Sequence, residues 1–256
     1  MSIAAVLQYS YPAMYNQEIS MKKISSFLLL FTCMIGLVAI IPGCKKDDPD
    51  SGNAKIMFVH MSPDAPPVDI LIDNSKINTT ALAYTGNTGY SSVAAGTLNI
   101  KINAAGTSTT ALDVNINGVE KDKHYSVFAI NWLSSITAVA TEDNLTAPAT
   151  GKAHIRFMHL SPGTPNVTVG YVSGSTFNPL YTNRAFETPT SVGTYAGFTP
   201  IDAGSYNLEV RVAGTSGVLL SAPGVVLQSG KIYTLIARGV VGSATTPVGA
   251  SVIVHN

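Results

Sequence analysis

The chain has 256 residues, of which 46% are hydrophobic and only 12% charged, and its formal net charge is zero. Because Lys22, Lys23 and Glu18 precede Cys44, the part from Cys44 onward holds 13 Lys and Arg against 14 Asp and Glu. This balance leaves no basic surface to collect phosphates, so it argues against a nucleic-acid partner.

The first 44 residues carry the pattern of a bacterial lipoprotein signal. Lys22 and Lys23 form a positive start, an apolar run covers residues 27–41, and the small residue Gly43 precedes Cys44. In such signals the leader is cut before the cysteine, and the thiol takes a diacylglycerol. We therefore expect lipidation at Cys44, with the protein held at the membrane by its acyl chains.

Residues 1–43 are thus interpreted as an upstream extension followed by a signal peptide, with Met21 as the expected true start. The alternative is a transmembrane anchor, because residues 24–41 are mostly apolar. Their 18 residues lie near the lower limit for crossing a hydrocarbon core of about 30 Å.

Residues 44–53 are predicted to form a charged tether. Lys45, rather than an acidic residue, follows Cys44, which disfavours retention in the inner membrane, and Lys46-Asp47-Asp48 resembles a short surface-export signal. We expect an outer-membrane lipoprotein exposed on the cell surface, although a solvated linker has the same composition. Cys33 leaves with the leader and Cys44 is acylated, so no thiol remains for a disulfide, a nucleophile or a metal.

The rest of the chain is a tandem duplication. Residues 56–68 return as residues 155–167, with seven of 13 positions identical at an offset of 99. Ala95-Gly96 returns as Ala203-Gly204 at an offset of 108, so the second copy holds nine extra residues. We expect a first domain over residues 54–145, a linker over 146–151 and a second domain over 152–256.

Inside both units the apolar residues alternate. Leu98, Ile100 and Ile102 are separated by polar residues, and turn signals such as Asp73-Asn74 lie between the alternating runs. The sequence predicts an all-β fold of two tandem immunoglobulin-like β-sandwich domains, each with about seven strands.

The repeated block also carries a family resemblance. Residues 58–69, Ala95-Gly96 and Lys123-His124-Tyr125 resemble the domain-of-unknown-function family 4397. The resemblance implies a secreted or surface bacterial protein with paired domains. It implies no catalytic or ligand-binding residue and no cofactor.

His60 with Ser62, and His159 with Ser161, are the residues most suggestive of catalysis. Residues two apart in a strand share a face, so His60 could act as a base on Ser62, as a hydrolase requires. The favoured interpretation is structural: the ring binds backbone at the strand end, where Ser-Pro opens a turn. No Gly-x-Ser-x-Gly motif surrounds either serine.

Acidic, histidine and aromatic side chains are the candidates for metal and sugar sites. Asp64, Asp69 and Asp73 could be read as a calcium cluster, but Asp69 and Asp73 are four residues apart on a predicted strand, about 13 Å, which is too far to share an ion. The histidines lack zinc spacing. Six aromatic residues could form a sugar-stacking platform if they lay together, but such residues more often fill sandwich cores: Tyr84, Tyr90, Trp132, Tyr171, Tyr181 and Tyr195.

The sequence favours a non-enzymatic surface lipoprotein that acts as a binding or adhesion module. No catalytic residue, cofactor or metal ligand is predicted, and the expected partners are the membrane, through Cys44, and an extracellular protein or glycan. The alternative is a carbohydrate-binding accessory of a surface glycan-uptake system. A hydrolase using His60 and Ser62 is a more distant alternative.

Overall fold

The computed structural model describes residues 52–256, which lie within one compact unit. The predicted signal peptide, Cys44 and most of the tether lie outside the described residues. Within them the fold is all-β, with a single 3₁₀ turn at Leu133–Ser135 and one short helix, α1, at Val192–Tyr195. None of the helices in this range is long and apolar enough to span a bilayer.

Each half of the described chain contributes eight strands, close to the seven or so that the sequence predicted. Those of the first half are β1 Asn53–His60, β2 Val68–Ile72, β3 Ser75–Lys76, β4 Ser91–Ala94, β5 Gly96–Ala104, β6 Thr110–Val119, β7 His124–Ile130 and β8 Thr137–Glu142. Those of the second half are β9 Lys152–Leu160, β10 Val167–Ser173, β11 Thr176–Arg184, β12 Thr199–Asp202, β13 Gly204–Val212, β14 Val218–Leu227, β15 Ile232–Arg238 and β16 Gly249–Val254.

The two halves share one topology. The first half has sheets ordered β4-β1-β7-β8 and β3-β2-β5-β6, and the second has β12-β9-β15-β16 and β11-β10-β13-β14. Strand for strand these orders are identical, so the prediction of two tandem β-sandwiches is confirmed. In both halves the first and seventh strands pair in parallel, and the other pairs are antiparallel.

Local sequence explains the strands and turns. In β5 the side chains of Leu98, Ile100 and Ile102 are buried and those between them are not, as the alternation predicted. Asp73 and Asn74 have φ values of 48° and 66°, the left-handed conformation that a two-residue hairpin between β2 and β3 requires.

Three apolar layers hold four sheets together. One core lies between the two sheets of the first half and another between those of the second. A third joins the sheet containing β1 and β7 to the one containing β9 and β15, and includes Met57, Phe128, Met158 and Ile236. The inner strands are therefore covered on both faces, which explains their nearly continuous apolar runs.

The nine extra residues of the second half fall between β10 and β12. They lengthen the β10–β11 hairpin and add the segment that contains α1. Val192 of α1 is buried in the core between the two halves. The extra segment therefore helps to fasten the second half to the first.

Candidate functional site

Strand directions give the first half two distinct ends. In the parallel pair of β1 and β7, Lys55 lies beside His124 and His60 lies beside Ala129. The chain therefore enters next to residues 122–124, and the loops after β1 and β7 lie at the opposite end, about 23 Å away at 3.3 Å per residue. We call these the entry end and the exit end.

The second half has the same polarity, and the two exit ends are neighbours. Thr85 donates its backbone N–H to the carbonyl of His60 at the exit end of the first half. The ring of the adjacent Tyr84 lies 5.8 Å from the guanidinium of Arg238, the last residue of β15. The proline-containing loops 61–67 and 161–166 therefore both lie far from residue 52.

His60 and His159 make equivalent hydrogen bonds at the start of these loops. In each ring Nδ1 accepts the backbone N–H two residues further on, at 3.4 Å. Nε2 lies 3.2 Å from the carbonyl oxygen of Pro66 in one half, and 3.3 Å from that of Pro165 in the other. Burial lowers the pKa of both imidazoles, and a neutral ring with its proton on Nε2 satisfies both bonds. The rings thus fasten the loops to the strand ends.

The serines of the two blocks are also buried. Ser161 donates its hydroxyl to the carbonyl of Gly239 at 2.6 Å, whereas Ser62 Oγ has no partner among the described residues. A hydrolase would need His60 as a base, but both of its ring nitrogens bind backbone. Across residues 52–256 no carboxylate forms a hydrogen bond with His60. This geometry does not support the hydrolase alternative.

The three acidic residues considered for calcium act separately. Asp64 accepts the backbone N–H of Leu133 at 2.7 Å, and Asp69 pairs with Lys76 at 2.8 Å. The side chain of Asp73 accepts a backbone N–H from β5 at 3.0 Å. Hydrogen bonding to Lys76 lowers the pKa of Asp69. Each carboxylate therefore organises a turn or a strand edge.

The six aromatic residues do not form a shared platform. Within the described part of the chain, no two of their rings pair with each other. Tyr181 stacks on Phe157 at 5.9 Å in the second core, and the ring of Tyr195 lies 3.7 Å from the guanidinium of Arg184. The sugar-stacking platform considered for these six residues is therefore not supported.

A groove opens at the exit end of the first half. Its volume is about 340 Å³, and its walls are Pro66, Val68, Ala104, Thr109, Thr110, Ala111 and Leu133. Leu133 is 39% exposed, and the bond from its N–H to Asp64 fixes the backbone there. The walls carry no charge, and they are apolar apart from two threonine hydroxyls. Such a groove can take an apolar side chain with polar groups beside it.

A buried ion pair between the two halves was missed by the sequence analysis. Arg156 and Asp143 have fully buried side chains, and their charged atoms are 2.8 Å apart. Arg156 also donates to the hydroxyls of Thr141 and Thr234, both at 2.9 Å. Its guanidinium lies 4.4 Å from the ring centroid of Phe198. The arginine is thus satisfied by groups from both halves.

The other side of this network is a chain of hydroxyl and imidazole groups. Tyr90 and Ser126 both donate to Asp143 at 2.6 Å. His255 lies 2.7 Å from the hydroxyl of Tyr90 through Nδ1 and 2.7 Å from that of Thr234 through Nε2. Burial lowers the pKa of His255 to about 4, and burial beside Asp143 raises the pKa of Tyr90. At neutral pH the network therefore holds one positive and one negative charge.

The difference between the two copies of the repeat points to this network. Arg156 is the only charged residue in the repeated block of residues 155–167, and its counterpart in the first half, at the offset of 99, is Met57. Asp143 and His255 follow equivalent strand positions, since Tyr125 pairs with the residue before one and Tyr233 with the residue before the other. A comparison of the two copies, position by position, could have singled these residues out.

A second buried ion pair supports the extra segment of the second half. Arg184 and Glu187 are 2.7 Å apart, and Arg184 also donates to the carbonyl of Phe157 at 2.9 Å. Glu187 in turn donates its backbone N–H to the backbone carbonyl of His159. These bonds attach the segment to β9. Their role is to hold the fold, and they do not form a reactive site.

Comparison with known proteins adds a family match. Residues 54–170 match the family described as a domain of unknown function, DUF4397. The match covers the first half of the fold and continues through β9 into β10. No curated protein matches the sequence.

Two solved structures are distantly similar to the chain. One is the carbohydrate-binding module CBMbc of Eubacterium rectale Amy13K, in complex with maltoheptaose. It is 12% identical, with a TM-score of 0.24 and coverage of 78% of this chain and 96% of the other. Another is a protein of Parabacteroides distasonis named as a candidate cell adhesion protein. It is 9% identical, with a TM-score of 0.22 and coverage of 80% and 99%. Both scores are too low for the likeness to bear on function.

Proposed function

We propose that the protein is a non-enzymatic surface lipoprotein of the DUF4397 family, anchored through Cys44, that binds an extracellular protein at its exit end. The signal pattern before Cys44 supports the anchor and the surface location, and the match over residues 54–170 supports the family. The observation that carries the binding proposal is the uncharged groove beside Leu133.

The position of this groove suits a tethered receptor. The predicted tether, residues 44–53, runs into β1 at the entry end, so the exit-end loops point away from the membrane. The histidines fix the proline loops, and the Arg156–Asp143 pair fixes the two halves together. Recognition loops on a rigid scaffold lose little conformational entropy when they bind.

A protein partner fits the groove better than a glycan does. Glycan sites commonly use exposed aromatic rings, and the six candidate rings here are dispersed. The groove instead presents Leu133 and Pro66 together with two threonine side chains, which suits an apolar side chain on a polypeptide. The carbohydrate-binding accessory remains the second candidate, and the binding experiment separates the two.

The experiment uses the soluble chain from Lys45 onward, which contains the whole compact unit. It is applied to panels of extracellular-matrix and bacterial surface proteins and to a glycan array. Leu133→Asp is expected to weaken protein binding at least tenfold, because it places a charge in the groove. Val226→Asp is the matched control, since this valine is 59% exposed on β14 and remote from the groove.

Two results would contradict the proposal. Equal binding of the protein partner by the Leu133→Asp and Val226→Asp variants would show that the groove is not the binding site. Binding to glycans alone would favour the second candidate. The anchor is tested by mass spectrometry of the mature amino terminus in the native host. We expect a diacylated Cys44, and an unmodified thiol would refute the tether.

A further inference from the structure

Seven of the eight sheet edges in the described chain are blunted against pairing with another strand. Proline interrupts the edge strands β11, β12 and β14, and a charged residue lies in β3, β6 and β8. The edge strand β4 has only four residues. Proline, charge and shortness are the usual means by which proteins keep sheet edges from associating.

The eighth edge, β16, has none of these protections. Its sequence is Gly-Ala-Ser-Val-Ile-Val, with six residues, no proline and no charge. Val252 and Val254 are 45% and 52% exposed. A neutral, apolar edge strand of this length is a template for a further strand.

The register shows which backbone groups are free. His255 donates to the carbonyl of Ile232, so the hydrogen-bonded pairs with β15 involve every second residue back from His255. The N–H and C=O groups of Ala250, Val252 and Val254 therefore point outward. The same residues thus present both the free backbone groups and the exposed side chains.

The first half shows what this region lacks. There the seam between β6 and β8 is lined by apolar residues that include Ile116 and Ala140, and Pro189 and Val192 of the second half lie over it. The corresponding seam between β14 and β16 is lined by Ala250 and Val252, and no residue outside the second half lines it. Residues of the other half therefore line this seam in the first half, and none lines the corresponding seam of the second half.

We propose that β16 pairs with β16 of a second copy of this chain, antiparallel and centred on Val252. Val252 then lies opposite its own counterpart and Ala250 opposite Val254, with about six backbone hydrogen bonds in the ladder. Neither strand carries a charge, so self-pairing meets no repulsion. The predicted tether, with Lys45, Lys46, Asp47, Asp48 and Asp50, is too highly charged to cover the valines instead.

Antiparallel pairing also sets the direction of the two copies. Their entry ends lie at opposite ends of the joined sheet, as is suitable for copies on two apposed surfaces. This consequence rests on the proposed anchor, but the pairing itself does not. Failure of the anchor or of the groove would therefore leave the pairing to be judged by its own experiment.

The experiment is sedimentation of the soluble chain from Lys45 onward, combined with amide hydrogen exchange. We expect a dimer whose dissociation constant rises more than tenfold in Val252→Lys, because two ammonium groups then face each other across the ladder. Val241→Lys is the matched control, since Val241 is 53% exposed in the loop after β15. Val252→Thr keeps a β-branched neutral side chain and should retain the dimer.

Exchange at Val252 and Val254 should slow as the protein concentration rises. A wild-type chain that stays monomeric at about 0.5 mM would overturn the proposal, since an affinity weaker than that has little use at a surface. So would a dimer that Val252→Lys leaves intact, or one whose protected amides lie outside β16.

Discussion

Replacement of Arg156 by methionine, the residue that the first half carries at the same position, tests whether the buried network fixes the two halves. The substitution keeps an unbranched side chain of similar length but leaves the Asp143 carboxylate without its ion pair. Three hydroxyl donors stay within 3.4 Å of that carboxylate, from Tyr90, Ser126 and Thr141. These hydrogen bonds reduce the destabilisation, but they do not replace a positive charge.

The expected cost is set by burial. Removing one partner of a fully buried ion pair destabilises a protein by about 3–5 kcal/mol, and the remaining hydroxyl donors favour the lower end of that range. For a chain of about 200 residues, about 3 kcal/mol lowers the melting temperature by roughly 10 °C. Adding Asp143→Asn to Arg156→Met removes the unpaired charge, so the double variant should recover at least half of the loss.

Urea unfolding and calorimetry measure these differences, with Arg211→Met as the control. Arg211 pairs with Glu209 at 2.6 Å, but both side chains are about one-fifth exposed. Its loss should cost about 1 kcal/mol or less. If Arg156→Met were no more destabilising than Arg211→Met, the network would not be what holds the halves together.

Two further predictions concern pH and packing. Because the pKa of His255 falls to about 4 in the folded state, the unfolded chain binds more protons between about pH 4 and 6.5, so stability should fall by up to about 3 kcal/mol as the pH drops through that range. Urea titrations at several pH values should show a smaller slope for His255→Gln, and an unchanged slope would contradict the assignment. Gly170→Ala should destabilise by about 2 kcal/mol or more, because its new methyl group meets the carbonyl of Asn178 across the β10–β11 pair. Gly193→Ala has open space around the new methyl group, so thermal melts that show equal losses for the two variants would rule out the clash.

The local pattern was sufficient for the elements of the fold. The alternation in β5 and the turn at Asp73-Asn74 depend only on residues that are neighbours in the chain. Both could therefore be predicted from the sequence. The repeated blocks also implied that whatever topology one half adopts, the other adopts too. The number of strands per half was predicted only as about seven, because short edge strands such as β3 carry too few residues to show a period.

The arrangement of the two halves could not be read in the same way. A continuous apolar run such as residues 56–59 fits a strand buried on both faces, but it does not say what covers the second face. That face is covered by the other half. The aromatic residues illustrate the same limit, since the sequence favoured core positions for Tyr90 and Tyr181 but did not say which groups they contact.

The sequence by itself determined the all-β class, the duplication and the expected lipid anchor, because each follows from the order of residue types along the chain, whatever the chain's path in space. Only the tertiary structure decided that Arg156 pairs with Asp143, that the histidines bind loop backbone, and that β16 is the unprotected edge. These facts depend on distances in space, and those distances are set by how the strands pair and by how two sheets of the same strand order pack face to face.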